Sequence, residues 1–197
     1  MKQINPVINI PNILTVIRIL LTPVFVTCLL HNMFVCAFFV FTIAGITDGL
    51  DGLLARYFNQ HTTLGAYLDP IADKLLLTAA FICLAIQKSI PAWLAIIVIS
   101  RDIFILLGIA FLTIIRINIE IKPAMISKLT TVIQLGTIFI VLFNLQIKGE
   151  DLIRWSFYWL TAGLTVLSGS YYTFTGFKTL QNALGNNRIK RYRSPPE

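Results

Sequence analysis

Asp48, Asp51, Gly52, Ala55, Arg56, Gly65, Asp69 and Asp73 form one spaced pattern, D-x2-D-G-x2-A-R-x8-G-x3-D-x3-D, in an otherwise apolar part of the chain. Carboxylates are costly in hydrocarbon, so four of them at fixed spacing call for a function. Four oxygen donors without histidine or cysteine favour a hard cation: magnesium, manganese or calcium. They leave room for two ions and a bound phosphate, an arrangement suited to in-line displacement at phosphorus. Gly52 and Gly65 let backbone or ligand approach closely. Arg56 has the fork geometry for phosphate or carboxylate. Plainer roles exist for single residues. Asp48 and Asp51 could form a polar helix end, Asp69 a cap, and Asp73 a pair with Lys74 or Arg101.

The elements that must position these residues are helices. Asp48 and Asp51 are three apart and Asp69 and Asp73 four apart, so each pair shares a helix face. If two antiparallel helices carry them, the Asp51–Asp69 midpoint falls at 60 and the Asp48–Asp73 midpoint at 60.5, both in the polar turn Asn59–Thr62. The pairs then lie at matching depth. Clustered carboxylates repel one another unless cations neutralise them.

The chain has 197 residues, 56% hydrophobic and 13% charged, with a mean hydropathy of +0.79. Such values lie outside the range of soluble domains. Apolar blocks between polar breaks predict an all-α integral membrane protein with six transmembrane helices, at about 10–30, 33–57, 63–87, 91–115, 124–146 and 153–180. Residues 1–185 form one membrane domain in this reading, and 186–197 a basic cytoplasmic tail. No cleaved signal peptide is expected. Gly45, Gly49, Gly108 and Gly136 are expected to pack helices together. Cys28, Cys36 and Cys83 lack metal-ligand spacing and are expected to be packing residues.

Loop charges orient the bundle. Lys2, Arg56, Arg116, Lys122, Lys178, Arg188, Lys190, Arg191 and Arg193 fall on the side of both termini, against Lys88, Lys148 and Arg154 on the other. The excess puts both termini in the cytoplasm. Arg18, Lys74, Arg101 and Lys128 fall within spans and need a separate explanation. The net charge is +7, and Arg188, Lys190, Arg191 and Arg193 cluster in the C-terminal tail, which points to anionic headgroups rather than nucleic acid.

The eight-residue pattern resembles the signature of the CDP-alcohol phosphatidyltransferases, membrane enzymes of phospholipid synthesis, with every fixed position filled. A weaker likeness reaches Pro11-Asn12 and Leu14-Thr15 through Arg18. The resemblance implies two divalent ions, Mg2+ or Mn2+, on Asp48, Asp51, Asp69 and Asp73, with Asp73 also the general base. It implies contacts from Gly52, Ala55, Arg56 and Gly65 to the cytidine diphosphate of CDP-diacylglycerol. The acceptor hydroxyl attacks the lipid-side β-phosphorus and CMP leaves. It further implies a homodimer in the cell (inner) membrane, with the site facing the cytoplasm.

Arg101 and Lys128 are expected on the acceptor side of that site, which implies an anionic acceptor containing glycerol. Phosphatidylglycerol, giving cardiolipin, is favoured over glycerol 3-phosphate. The glycerophosphate enzymes tend to carry a second arginine where this chain has Ile109. Ile99-Ser100-Arg101-Asp102 and Lys122-Pro123 followed by Ile126-Ser127-Lys128 also look like cardiolipin synthases that use CDP-diacylglycerol. An ion-coupled transporter is the rival of another class, but it leaves Gly52, Ala55, Arg56 and Gly65 at their spacings unexplained. A purely structural membrane subunit leaves the charges within spans unexplained.

Overall fold

In a computed structural model the described residues are 10–58, 63–114, 125–143 and 150–193. They form α1 (Ile10–Leu30), α2 (Phe34–Phe58), α3 (Thr63–Ile86), α4 (Ala92–Ile114), α5 (Met125–Phe143) and α6 (Glu150–Arg193). The first five lie within a few residues of the predicted blocks. The sixth differs: α6 runs past both the predicted block and the 185/186 boundary to Arg193. Hydropathy marks where apolar side chains end, whereas a helix propagates through backbone hydrogen bonds whatever its polarity.

Two turns set the packing of the first four helices. Met33 N–H donates to Cys28 O (2.8 Å) and Asn32 N–H to Leu29 O (2.8 Å), with Asn32 at φ 57°. Ser89 N–H donates to Leu84 O (2.9 Å) and Lys88 N–H to Ala85 O (3.0 Å), with Lys88 at φ 59°. Both are Schellman ends, which satisfy the last carbonyls of a helix through one left-handed residue. Asparagine takes that conformation more readily than lysine does. Gln87 Nε2 donates to Leu29 O, so α1 and α3 end side by side. Helix α1 packs along both α2 and α3, α4 against α6, and α5 against α6.

The apolar core fills the end of the bundle nearest these turns. It contains Phe25, Leu29, Phe41, Leu77, Phe81, Leu84, Leu94, Val98 and Ile138, all buried. The Phe41 ring lies 5.5 Å from that of Phe25 and 5.2 Å from that of Phe139. All three tryptophans sit at this end: Trp93 stacks on Trp159 at 5.2 Å, and Trp155 meets Tyr158 at 5.8 Å. The Tyr158 hydroxyl donates to Ser89 O at 3.0 Å. Aromatic side chains with one polar end suit a membrane interface.

The outer surface is apolar. Ile103, Phe104, Leu107, Phe111 and Ile114 on α4, and Trp159, Leu167, Phe174 and Phe177 on α6, are all exposed. Such a surface is far larger than a soluble monomer tolerates and is what a helical membrane protein presents. Among the described residues, α1 and α5 are long and apolar enough to cross a bilayer, while the apolar stretches Phe34–Asp48 and Lys74–Ile86 are shorter.

Of the glycines expected to pack helices, Gly136 does so, with Phe157 Cε1 3.4 Å from where a β-carbon would sit. Gly45 and Gly108 face open space instead. Their positions on α2 and α4 turn outward, so small size there brings no helix closer. Cys28 and Cys83 are buried, as expected for packing residues, and Cys36 is half-buried beside Cys28.

Candidate active site

Polar residues gather in one cross-section of the bundle. Arg18 on α1 pairs with Asp48 on α2, Nη1 to Oδ1 at 2.6 Å. The midpoint of 18 and 48 is residue 33, in the α1–α2 turn, as an antiparallel hairpin requires. Lys74 on α3 pairs with Asp102 on α4, Nζ to Oδ2 at 2.8 Å, and the midpoint is residue 88, in the α3–α4 turn. At 1.5 Å rise per residue both pairs lie ~21 Å from those turns. Two ion pairs therefore share one depth.

The remaining helices join the same layer through Arg101. Its Nη1 donates to Asp102 Oδ1 at 2.7 Å, and its Nη2 to Ser127 Oγ on α5 at 2.8 Å and to Ser168 Oγ on α6 at 2.6 Å. The guanidinium carbon lies 5.9 Å from the centre of the Tyr172 ring. Each Asp102 oxygen thus accepts from one cation, and both terminal nitrogens of Arg101 are engaged. A buried charge persists only with partners of this kind. Arg18 is 1% exposed and its partner Asp48 47% exposed, so one member of that pair reaches the open side of the layer.

Behind Arg101 a polar seam joins α5 to α6. The hydroxyls of Thr137 and Thr161 share a hydrogen bond of 2.6 Å, Gln134 Nε2 donates to Thr165 Oγ1 at 3.3 Å, and Thr130 Oγ1 donates to Leu164 O at 3.2 Å. Thr130, Gln134, Thr137, Thr161, Thr165 and Ser168 are all buried. Hydroxyl and amide bonds of this sort hold helices together where no water competes.

Asp48 is the member of the eight-residue pattern whose side chain is described. Asp51, Gly52, Ala55 and Arg56 fall on α2, and Gly65, Asp69 and Asp73 on α3; their side chains lie outside the described residues. Arg101 sits in the polar layer. Lys128 is exposed on the first turn of α5, one residue beyond Ser127. Ile109 lies on α4, its side chain also outside the described residues. Among the described residues no group of three or more His, Cys, Asp or Glu side chains converges. The donor chemistry of the pattern fits a hard divalent cation: four carboxylates, spaced to share helix faces, with a buried arginine already holding one of them.

Three features of the layer were not assigned from sequence: the Arg18–Asp48 pair, the Lys74–Asp102 pair, and the serines on Arg101. The midpoint rule that placed the aspartates together would have found both pairs, since 18 and 48, and 74 and 102, straddle polar turns symmetrically. Ser127 lies in the Ile126-Ser127-Lys128 stretch singled out above, whereas no sequence signal distinguishes Ser168 from other serines.

The family model described as CDP-alcohol phosphatidyltransferase matches residues 8–167. The chain is 33% identical over 190 residues to a cardiolipin synthase (CMP-forming) of Rattus norvegicus, across 88% of this chain and 63% of that protein. It is 30% identical over 178 residues to a CDP-diacylglycerol–glycerol-3-phosphate 3-phosphatidyltransferase of Rickettsia typhi, across 87% of this chain and 98% of that one. A Pseudomonas fluorescens protein of the latter name is 44% identical over 103 residues, across 49% of this chain and 52% of that one. The chain thus spans less than two thirds of the length of the rat relative.

Proposed function

Because the chain belongs to the CDP-alcohol phosphatidyltransferase family, we propose that it moves a phosphatidyl group from CDP-diacylglycerol to a glycerol hydroxyl, releasing CMP. The observation that carries this reading is the filled eight-residue signature on α2 and α3, inside the matched region and at the depth of the polar layer. Phosphatidylglycerol is the favoured acceptor, making the product cardiolipin. The rat relative bears the corresponding name, and the chain has Ile109 where a second arginine would favour a dianion. Glycerol 3-phosphate is the alternative, favoured by the Rickettsia relative, which the chain matches over almost its entire length.

Asp73 accepts the proton of the acceptor hydroxyl. The freed oxygen attacks the β-phosphorus, and the bond to the CMP oxygen breaks. Gly52, Ala55, Arg56 and Gly65 bind and orient the cytidine diphosphate, and Arg56 meets its phosphates. Two divalent ions, Mg2+ or Mn2+, when held by Asp48, Asp51, Asp69 and Asp73, supply neutralisation of the diphosphate and of the leaving group. Arg18 holds Asp48 in place from the buried side. Arg101 and Lys128 lie toward the acceptor. The six helices are read as six spans with both termini in the cytoplasm, supported by the basic residues on that side. A homodimer embedded in the cell membrane is the expected assembly.

The test is direct. Purified protein receives CDP-diacylglycerol with phosphatidylglycerol or glycerol 3-phosphate, and CMP and the lipid product are identified. CMP release dependent on an acceptor is expected. Its absence with every acceptor would remove the reading.

A further inference from the structure

Lys74 and Asp102 have no place in the signature, yet they occupy the same depth as its aspartates. Lys74 follows Asp73, so the two α-carbons are ~3.8 Å apart. Its side chain is 32% exposed, whereas Asp102 is 9% exposed and Arg101 5%. Both terminal nitrogens of Arg101 are engaged, by Asp102, Ser127 and Ser168, and α4, α5 and α6 enclose it. Its Nε has no hydrogen-bond partner among the described residues, but it is buried with the rest of the side chain, so Arg101 lacks the access that Lys74 has. Lys74 has one described partner, Asp102, and an ammonium can donate three hydrogen bonds. It is the cation in this network with both access and spare donors.

We propose that Lys74 binds the anionic phosphate of the acceptor, and that Asp102 is a positioning residue that holds the lysine for that purpose. The Asp102 carboxylate is itself fixed by Arg101, so the chain Ser127/Ser168–Arg101–Asp102–Lys74 carries rigidity from α5 and α6 to α3. Lys74 is the residue after the proposed base, so an acceptor anchored on it is held within one residue of Asp73 along α3. Proximity of this kind is lost when a flexible lysine has no anchor. The inference rests on the proposed transfer reaction and adds the residue that recognises its second substrate.

Loss of one charge-assisted hydrogen bond to substrate raises KM by ~10-fold or more. In full-length protein in mixed micelles, Lys74→Gln is expected to raise the KM for the acceptor by that factor while the KM for CDP-diacylglycerol stays within about twofold. Lys74→Arg, which keeps the charge, recovers most of the loss. Asp102→Asn raises the acceptor KM in the same direction, and adding it to Lys74→Gln raises it little further, as coupled residues behave. A purely structural role predicts something else: both KM values unmoved, or both substrates affected in step with a lower melting temperature. Either result, in a protein whose unsubstituted form turns over normally, overturns the inference alone. No CMP release by the unsubstituted protein with either acceptor would overturn the transfer reading and this inference with it.

Discussion

Asp48 and Asp102 are both aspartates paired with arginine, but their surroundings give them different work. Asp102 is enclosed and saturated, with a cation on each oxygen, whereas Asp48 is half-open with a fully buried arginine at its back. That contrast suits one carboxylate to structure and the other to a ligand. Replacing Arg18 by Met should therefore cost activity by at least ~10-fold, because a charge-assisted bond that aims Asp48 is gone. Arg18→Lys should recover part of it. Equal activity in Arg18→Met and the unsubstituted protein, measured by CMP release, would contradict this role. For Asp73 the expectation is larger. Asp73→Asn keeps the volume and one ligand oxygen but cannot take a proton, so turnover should fall by ~10²-fold or more, the usual scale for a general base. Substrate binding should survive better than turnover. Chelation should likewise abolish activity, with magnesium or manganese restoring it. Full activity in excess chelator would remove the metal from the account.

Among the elements, α5 and α6 make the clearest case for specific packing. Their hydroxyl seam is antiparallel in register, with Thr137 opposite Thr161 and Gln134 opposite Thr165. Thr161→Val should lower the melting temperature by the equivalent of ~0.6 kcal/mol, a typical value for one hydrogen bond between membrane helices, and leave KM values alone. A change in acceptor KM would show that the seam reaches the site. Most helices were legible from sequence because apolar blocks between polar breaks fix their limits: His31–Asn32 and Lys88–Pro91 fall at the two Schellman ends. The far end of α6 was not, since nothing in hydropathy stops a helix once its apolar side chains end. Of the aspartate pattern, the structure describes the side chain of Asp48 alone. The supporting ion pairs were legible by the same symmetry about a polar turn, whereas the contacts of Arg101 with α5 and α6 were not, because they join helices distant in sequence. Gly45 and Gly108 misled because small size shows that a helix could approach, not that one does.

Considered whole, the molecule is an inside-out layer structure: apolar outer walls, a phenylalanine-rich core at the tryptophan end, and a charged cross-section toward the other. This arrangement predicts an orientation that labelling can read. In a variant lacking Cys28, Cys36 and Cys83, Lys88→Cys should react with an impermeant maleimide only from outside the cell, and Ser194→Cys only from the cytoplasm. The reverse pattern would contradict the cytoplasmic placement of both termini. The most direct measurement is product identification. Purified protein, CDP-diacylglycerol, magnesium and phosphatidylglycerol should yield CMP and cardiolipin in equal amounts, with both formed ~10²-fold or more slowly by Asp73→Asn. Phosphatidylglycerophosphate formed from glycerol 3-phosphate, with phosphatidylglycerol ignored, would move the acceptor and keep the chemistry. No CMP with any glycerol acceptor would contradict the account at its centre.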